Sequence, residues 1–325
     1  MSDRRLAWGL GFIAALAVLA LAAPWLGLRD PDAQPDGLVL RDLPPLSRAT
    51  AIALADGTLR YAHEVSALPD GGVSYRRGER WTTIPESDLP GPTPAEWHRR
   101  PFFLLGTDGF GRDLASRMIH GARIALAVGL LSALVALVLG GAIGLIAGFM
   151  GGWVDGVLMR FADLLLSIPR LFLLLFLVAL YRPSLTTVIV VLGATSWMIP
   201  ARLVRGEVLS LREREYIQAA RSAGAPSWRV ALVHLLPGAL APLIVEGVLR
   251  VANTILLEAT LSFLGRGVPP PTASWGSIIA DGSDRLLDAW WIATLPGVAI
   301  AVTVVTLGLV GDALRDRLDP TGTAS

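Results

Sequence analysis

The side chains equipped for bond chemistry are few in this sequence, and their spacing argues against catalysis. The four histidines, His63, His98, His120 and His234, stand far apart. None falls in a metal-ligand spacing such as His-Glu-x-x-His on one helix. There are 0 Cys, which removes thiol catalysis, disulfides, Fe–S clusters and Cys-bound zinc. All 28 basic residues are Arg and none is Lys. A phosphate-binding P-loop needs its Lys, so no nucleotide-hydrolysing site of that kind can form, and Schiff-base chemistry is excluded as well. No metal and no cofactor of the chain's own is expected.

What remains are charged and amide side chains set inside apolar sequence. Glu246, Arg250 and Asn253 lie within about 60° of one another around a helix of 3.6 residues per turn, so they share a face. Glu246 and Arg250 have the i,i+4 spacing of an ion pair. A lipid-facing stripe of this kind is costly, so it faces protein or a hydrated path; both a pathway and a structural ion pair are compatible with it. Glu258 lies about 80° around from Arg250 and roughly 12 Å further along. Asp163 and Arg170 are two turns apart with Pro169 between them, and the proline predicts a kink or a break. Further upstream, Asp108, Arg112, Asp113 and Arg117 cluster, and Asp113 with Arg117 suits an i,i+4 pair on a solvated helix. Gly140, Gly144 and Gly148 recur every four residues, a stripe suited to close helix packing.

The elements that carry these residues belong in a membrane. The 325-residue chain is 53% hydrophobic and only 17% charged, against about 25% charged in soluble domains, and its mean hydropathy is +0.56. A net charge of +1 gives no basic field for nucleic acid. Six stretches reach the roughly 20 apolar residues of a spanning helix: about Leu6–Leu28, Ile124–Met150, Val157–Leu180, Ser184–Val204, Leu240–Leu264 and Ala289–Leu309. The first has Arg4 and Arg5 before it and Ala20-Leu21-Ala22 within it, as a secretory signal would. It is longer than a signal's apolar core and has Trp8 and Trp25 at its ends, as a retained span does. The predicted fold is an all-α polytopic membrane protein of six helices with a small external insertion after the first.

Arginine placement in short loops sets orientation. Arg202, Arg205, Arg212, Arg214, Arg221 and Arg229 fall in the segment from Arg202 to His234, Arg4 and Arg5 precede span one, and Arg315 and Arg317 follow span six. Both termini and the 205–237 loop are therefore expected in the cytoplasm and residues 29–105 outside. The predicted organisation is a first span over 1–28, the insertion over 29–105 and a core over 106–325. The insertion is rich in Pro and Asp. Thr58–Val65 reads as a strand, Pro69-Asp70-Gly71-Gly72 as a turn and Val73–Ile84 as the returning strand, a β-hairpin module; a mostly irregular linker is the alternative. With so little apolar content, the insertion is expected to be dispensable for folding of the spans.

The loop between spans four and five, Glu215–Pro237, reads as two short helices with a break. Gly224 ends the first in a left-handed conformation, Pro226 forbids continuation, Ser227 caps the second, and Pro237 closes the segment where the chain re-enters the membrane. Ala219, Ala220 and Ala223 give the first helix a small-residue face suited to close docking. This segment resembles the EAA loop of ABC-importer permeases: Ala219, Ala220, Gly224, Leu236 and Pro237 fall at matching positions, while Gln218 replaces Glu and His234 replaces Ile. Further segments resemble the dipeptide, oligopeptide and nickel permeases, most closely the "C" member of the permease pair. They are Gly106-Thr107-Asp108 with Gly111-Arg112-Asp113, Leu261-Ser262-Phe263-Leu264-Gly265 with Ser274-Trp275-Gly276, and Asp312 with Leu318-Asp319-Pro320. The resemblance covers about two-thirds of the chain.

The resemblance implies a non-catalytic permease subunit of an ATP-driven importer in the bacterial inner membrane. It implies a second permease, two ATPase subunits that use ATP and magnesium, an extracytoplasmic binding protein and surrounding lipid, with no nucleic acid. The loop becomes the ATPase-coupling element, carried by Tyr216, Gln218, Ala219, Ala220, Gly224 and Pro237. Glu246, Arg250, Asn253 and Glu258 become candidates for the pathway or a gate, with Glu258 toward an outer gate or a subunit contact. Asp108, Arg112, Asp113 and Arg117 become candidates for an external contact. The substrate is a dipeptide, a longer peptide, a nickel complex or another small solute. The alternative is an ion-coupled secondary transporter, for which the sequence lacks an internal repeat with paired midplane carboxylates.

Overall fold

The structure, a computed structural model, describes residues 2–318. Five helical runs are long and apolar enough to cross a bilayer: Arg4–Trp25, Leu114–Met150, Leu185–Leu211, Ser227–Phe263 and Trp290–Leu318. The third predicted span, Val157–Leu180, is instead two helices, Gly152–Ser167 and Arg170–Leu180, bent by 92° at the break between them. The proline signal at Pro169 is therefore a break. The observed helices overrun several predicted ends: the second starts at Leu114 and the last ends at Leu318.

In chain order the helices are α1 (Ser2–Ala22), α2 (Pro94–Trp97), α3 (Leu114–Met150), α4 (Gly152–Ser167), α5 (Arg170–Leu180), α6 (Leu185–Ala194), α7 (Met198–Leu211), α8 (Glu215–Ser222), α9 (Ser227–Arg229), α10 (Leu236–Phe263), α11 (Trp275–Ser283) and α12 (Trp290–Leu318). The chain packs as two units. One takes in the residues up to Val18, Arg123–Pro269 and the chain from Ala299 on; the other takes in Leu19–Ala122 and Pro270–Val298. The expected limit at 105/106 is thus not where the units part. Residues 106–122 and 270–298 pack with the insertion because buried charges tie them to it, as described below.

In the first unit the glycine stripe does what its spacing suggests. A Cβ on Gly140 would lie 2.6 Å from the Trp197 carbonyl oxygen, and one on Gly144 would lie 2.4 Å from that of Ala201. These glycines let α3 touch the backbone of α7. Two ion pairs brace α4 against α7: Arg205 grips Asp155 through two hydrogen bonds, one of 2.6 Å, and Arg202 pairs with Asp163. Asp163 therefore does not reach Arg170, because the break at Ile168–Pro169 turns the two residues apart.

In the second unit the insertion is more than one hairpin. The eight strands are β1 (Ser47–Arg48), β2 (Thr50–Ala53), β3 (Leu59–Ala62), β4 (Glu64–Ala67), β5 (Val73–Arg77), β6 (Arg80–Ile84), β7 (His98–Arg99) and β8 (Phe102–Phe103). All pairings are antiparallel, in sheets ordered β1-β8, β3-β2-β7 and β4-β5-β6. The turn at Pro69–Gly72 joins β4 to β5, with Ala67 opposite Val73. The single strand expected over Thr58–Val65 splits at His63, whose halves serve two different sheets. The strand expected over Val73–Ile84 folds on itself, with Arg77 opposite Arg80.

Two apolar clusters support these sheets. Leu40, Ala51, Tyr61 and Phe103 are in one, and Ile52, Val73, Ile84 and Trp97 in the other. Asp36 and Arg77 also bind, at 2.9 Å. Burial alone would raise the Asp36 pKa, but hydrogen bonds from Arg77 and from the Val39 and Leu38 N–H groups hold it below its usual value. The insertion thus carries its own core, a strand-containing module as expected and not the irregular linker of the alternative.

Candidate functional site

The loop after α7 is built around a helix end. In α8 the Gly224 N–H donates to the Arg221 carbonyl at 3.0 Å and the Ala225 N–H to the Ala220 carbonyl at 3.1 Å. This pair of bonds is a Schellman motif. It requires a left-handed residue after the cap, and Gly224 has φ +81°. Only glycine adopts that conformation without cost.

Ile217 anchors the helix. It is 0% exposed and packs with Leu145 of α3, Val204 and Val208 of α7, and Val230, Leu235, Ala239 and Leu243 further on. The Arg221 guanidinium adds a second anchor 5.4 Å from the Phe149 ring centre. The sequence reading overlooked Ile217; its apolar side chain between Tyr216 and Gln218 was the available signal. With Ile217 turned inward, Tyr216, Gln218 and Ala219 are exposed and Ala220 half-buried. The Gln218 amide donates to the Glu213 carbonyl at 3.2 Å, a bond that a Glu there could not make when ionised.

The second half of the loop differs from expectation. Pro226 occupies the cap position, and Ser227 is already the first helical residue, with no side-chain cap bond. Pro237 does not end a short helix. It lies in a helical run continuous from Ser227 to Phe263. A π-turn over Val230–Leu235 makes this possible: the Leu236 N–H donates to the Ala231 carbonyl, five residues back. The wider turn relieves the clash that a proline ring makes with the carbonyl four residues earlier.

The polar residues of α10 differ in burial. Arg250 is 3% exposed and pairs with Glu246, as the spacing predicted. Asn253 is exposed. Glu258 is fully buried and accepts a hydrogen bond from the Ser262 hydroxyl at 2.6 Å. The same hydroxyl receives the Val268 N–H at 3.2 Å. Glu258 is thus held inside the end of α10 by Ser262.

In the second unit three of the four upstream charges, Asp108, Arg112 and Arg117, form a buried network with Asp281. Asp108 receives the Arg112 Nε at 2.6 Å and the N–H groups of Phe110 and Arg112 at 2.9 and 3.0 Å. Arg112 reaches Asp281 at 2.6 Å. Arg117, 2% exposed, lies 3.4 Å from Asp108, 3.5 Å from Asp281 and 3.8 Å from Asp32. The Asp113–Arg117 pair expected on a solvated helix is absent. Asp113 instead caps α3 by accepting the Ser116 N–H at 3.0 Å and binds Arg29 at 2.7 Å. A capping residue points along the helix axis, away from the side chain one turn on. Sequence reasoning missed Asp281 because nothing local marks a partner 169 residues away. It also missed the Arg285–Asp42 pair.

Comparison with known proteins then decides the family. Residues 140–321 match the family described as "Binding-protein-dependent transport system inner membrane component", more than half of the chain. A putative peptide transport system permease protein of Brucella suis biovar 1 (strain 1330) is 48% identical over 219 residues, 67% of this chain and 73% of that protein. The chain belongs to this family. The permease is also 42% identical, over 230 residues, to a di/tripeptide transport system permease protein of Pseudomonas aeruginosa (strain UCBPP-PA14), which covers 70% of it and 76% of that protein. It shares its fold with the inward-facing MetNI methionine ABC transporter, at TM-score 0.52 and 20% identity over 63% of this chain and 97% of that one.

The permease is therefore a multi-pass, non-catalytic component of an ABC importer, and the ion-coupled alternative is set aside. Of the segments that carried the resemblance, Asp319 and Pro320 lie outside the described residues.

The network around Asp108 yields a prediction. Asp108→Asn leaves two buried guanidiniums facing less counter-charge. Removing one partner of a buried ion pair costs about 3–5 kcal/mol. The purified permease should show a clearly lower melting temperature in detergent, and an unchanged one would contradict the network's importance.

Proposed function

We propose that the permease forms half of the translocation pathway of a peptide importer and is driven through the α8 loop. Two ATPase subunits, which bind ATP and magnesium, dock below the permease pair, and that loop docks into an ATPase subunit. A second permease completes the pathway, and an extracytoplasmic binding protein delivers the substrate. The peptide class rests on the relatives, which are named for peptides or di/tripeptides. The observation that carries the coupling role is a short helix pinned by Ile217 and stopped by Gly224, with Tyr216, Gln218 and Ala219 left exposed. Alanines at 219, 220 and 223 allow a partner surface to approach closely. Beside them Trp228 is 64% exposed, an aromatic suited to an interface centre. ATP-driven closure of the ATPase pair moves α8. Ile217 passes that motion to α3, α7 and α10, and the pathway opens to the other side.

The protein lies in the bacterial inner membrane with both termini and the α8 loop in the cytoplasm. The insertion over 29–105 lies outside, where Asp108, Arg112, Asp113 and Arg117 support the surface that meets the binding protein. Arginine asymmetry supports this orientation. The chain has 0 Cys, so Ser227→Cys gives a single labelling site. A membrane-impermeant maleimide should label it only after the cells are opened; labelling in intact cells would overturn the orientation.

The coupling role predicts the behaviour of two substitutions. Gly224→Val forces a β-branched residue to φ +81°, at about 1–3 kcal/mol of local strain, and should misplace α8. Ala220→Arg sets a long cation in the docking face. Both proteins should insert normally, yet bind ATPase subunits weakly or hydrolyse ATP without uptake. Co-purification and uptake, each normalised to permease in the membrane, measure this. Parental values for both variants would remove the coupling assignment.

A further inference from the structure

The break between α4 and α5 leaves non-helical backbone inside a spanning segment. Such backbone persists in a membrane where it is covered by protein or lines a cavity. Here a cavity of about 160 Å³ is lined by Ile168, Pro169, Arg170, Thr195, Ser196 and Arg250, with apolar neighbours. Two of these side chains are guanidiniums. Arg250 has Glu246 as its counter-charge. Arg170 donates to the Ser196 hydroxyl, and among the described residues no carboxylate pairs with it within 4.0 Å. The Nε–H of Arg170 and that of Arg250 are both buried without an acceptor.

The cavity wall therefore carries two positive side chains and no carboxylate, Glu246 pairing with Arg250 from outside the lining. Buried donors without acceptors are rare in folded proteins, and an intramembrane charge without a counter-charge is costly. A third feature has the same sign. The 11-residue helix α5 begins at Arg170, and its first backbone N–H groups have no acceptor within the helix. The N-terminus of a broken span is a site where membrane transporters hold anionic groups.

We infer that this cavity holds a carboxylate, and that the carboxylate is the C-terminus of the peptide in transit. A carboxylate supplies what the site lacks: one negative charge, and planar acceptors that match the guanidinium fork. The volume admits an end-group and a few atoms behind it. The rest of the peptide stays in the wider pathway, where its side chains are not read. Recognition at this point is thus of the terminus common to all free peptides. This inference rests on the peptide-importer reading above.

The test uses the complete transporter, with partner permease, ATPase subunits and, for uptake, the binding protein, in lipid nanodiscs and proteoliposomes. ATP-driven uptake of a peptide by the parental complex is measured first; its absence would defeat the importer reading itself. Binding is then measured by saturation-transfer NMR on the nucleotide-free complex without binding protein. The probes are glycylglycine, glycylglycinamide and inorganic phosphate. The parent should bind glycylglycine in preference to the other two. Arg170→Gln and Arg250→Gln should each weaken glycylglycine binding by at least about tenfold, the scale of a lost hydrogen bond to a charged group. Arg170→Lys should restore part of it. Equal binding of acid and amide would overturn the inference. So would phosphate binding as well as glycylglycine, which marks a general anion or lipid-phosphate site, or parental binding in both Gln variants. If either Gln variant fails to fold, the three-probe comparison on the parent still decides.

Discussion

The burial of Ile217 is the contact on which the functional geometry depends. Without it α8 would be an eight-residue helix with almost no apolar content, too short to persist alone in water. With it, the loop shares a cluster with α3, α7 and α10. The Schellman end at Gly224 and the π-turn before Pro237 then fix how the chain leaves α8 and rejoins a spanning helix. A force on the exposed side of α8 has a packed route into three spans. A flexible loop of the same composition would absorb that force.

The second unit depends on charge rather than apolar packing. Asp108, Arg112, Arg117 and Asp281 lie within 3.5 Å of one another in successive pairs. Replacing such a network by apolar side chains often leaves stability unchanged or raised, whereas breaking one member is costly. Its value is therefore geometric: it holds the segment entering α3 and the helix α11 in one arrangement. The insertion adds two apolar clusters and the Asp36–Arg77 pair to the same unit. That structure is more than a tether between two spans would require.

Much of this was legible in the sequence, wherever the cause is local. Hydropathy found the five helical runs long enough to span and the bent pair α4–α5. Pro169 marked the break, the Gly140–Gly148 stripe marked close packing, and Gly224 marked the helix end. The i,i+4 rule found Glu246–Arg250. What escaped has causes that lie elsewhere in the chain. Alternation marks strands but not their partners, so Thr58–Val65 and Val73–Ile84 looked like one hairpin when each contributes two strands. The i,i+4 rule presumes both residues are inside the helix, and Asp113 sits at its cap. Equal angles around a helix do not mean equal burial, since neighbouring helices cover Arg250 and leave Asn253 exposed. Asp281 was invisible because only folding brings it to Arg112.

The central claim is that Ile217 transmits motion from the ATPase subunits to the spans. Ile217→Ala keeps the exposed docking face and the Gly224 turn but empties the anchor. The decisive measurement is peptide uptake per ATP hydrolysed, by the complete transporter in proteoliposomes. The account predicts that ATPase subunits still co-purify and hydrolysis continues, while uptake per ATP falls several-fold. Uptake per ATP equal to the parent's would show that the spans are driven by some other contact.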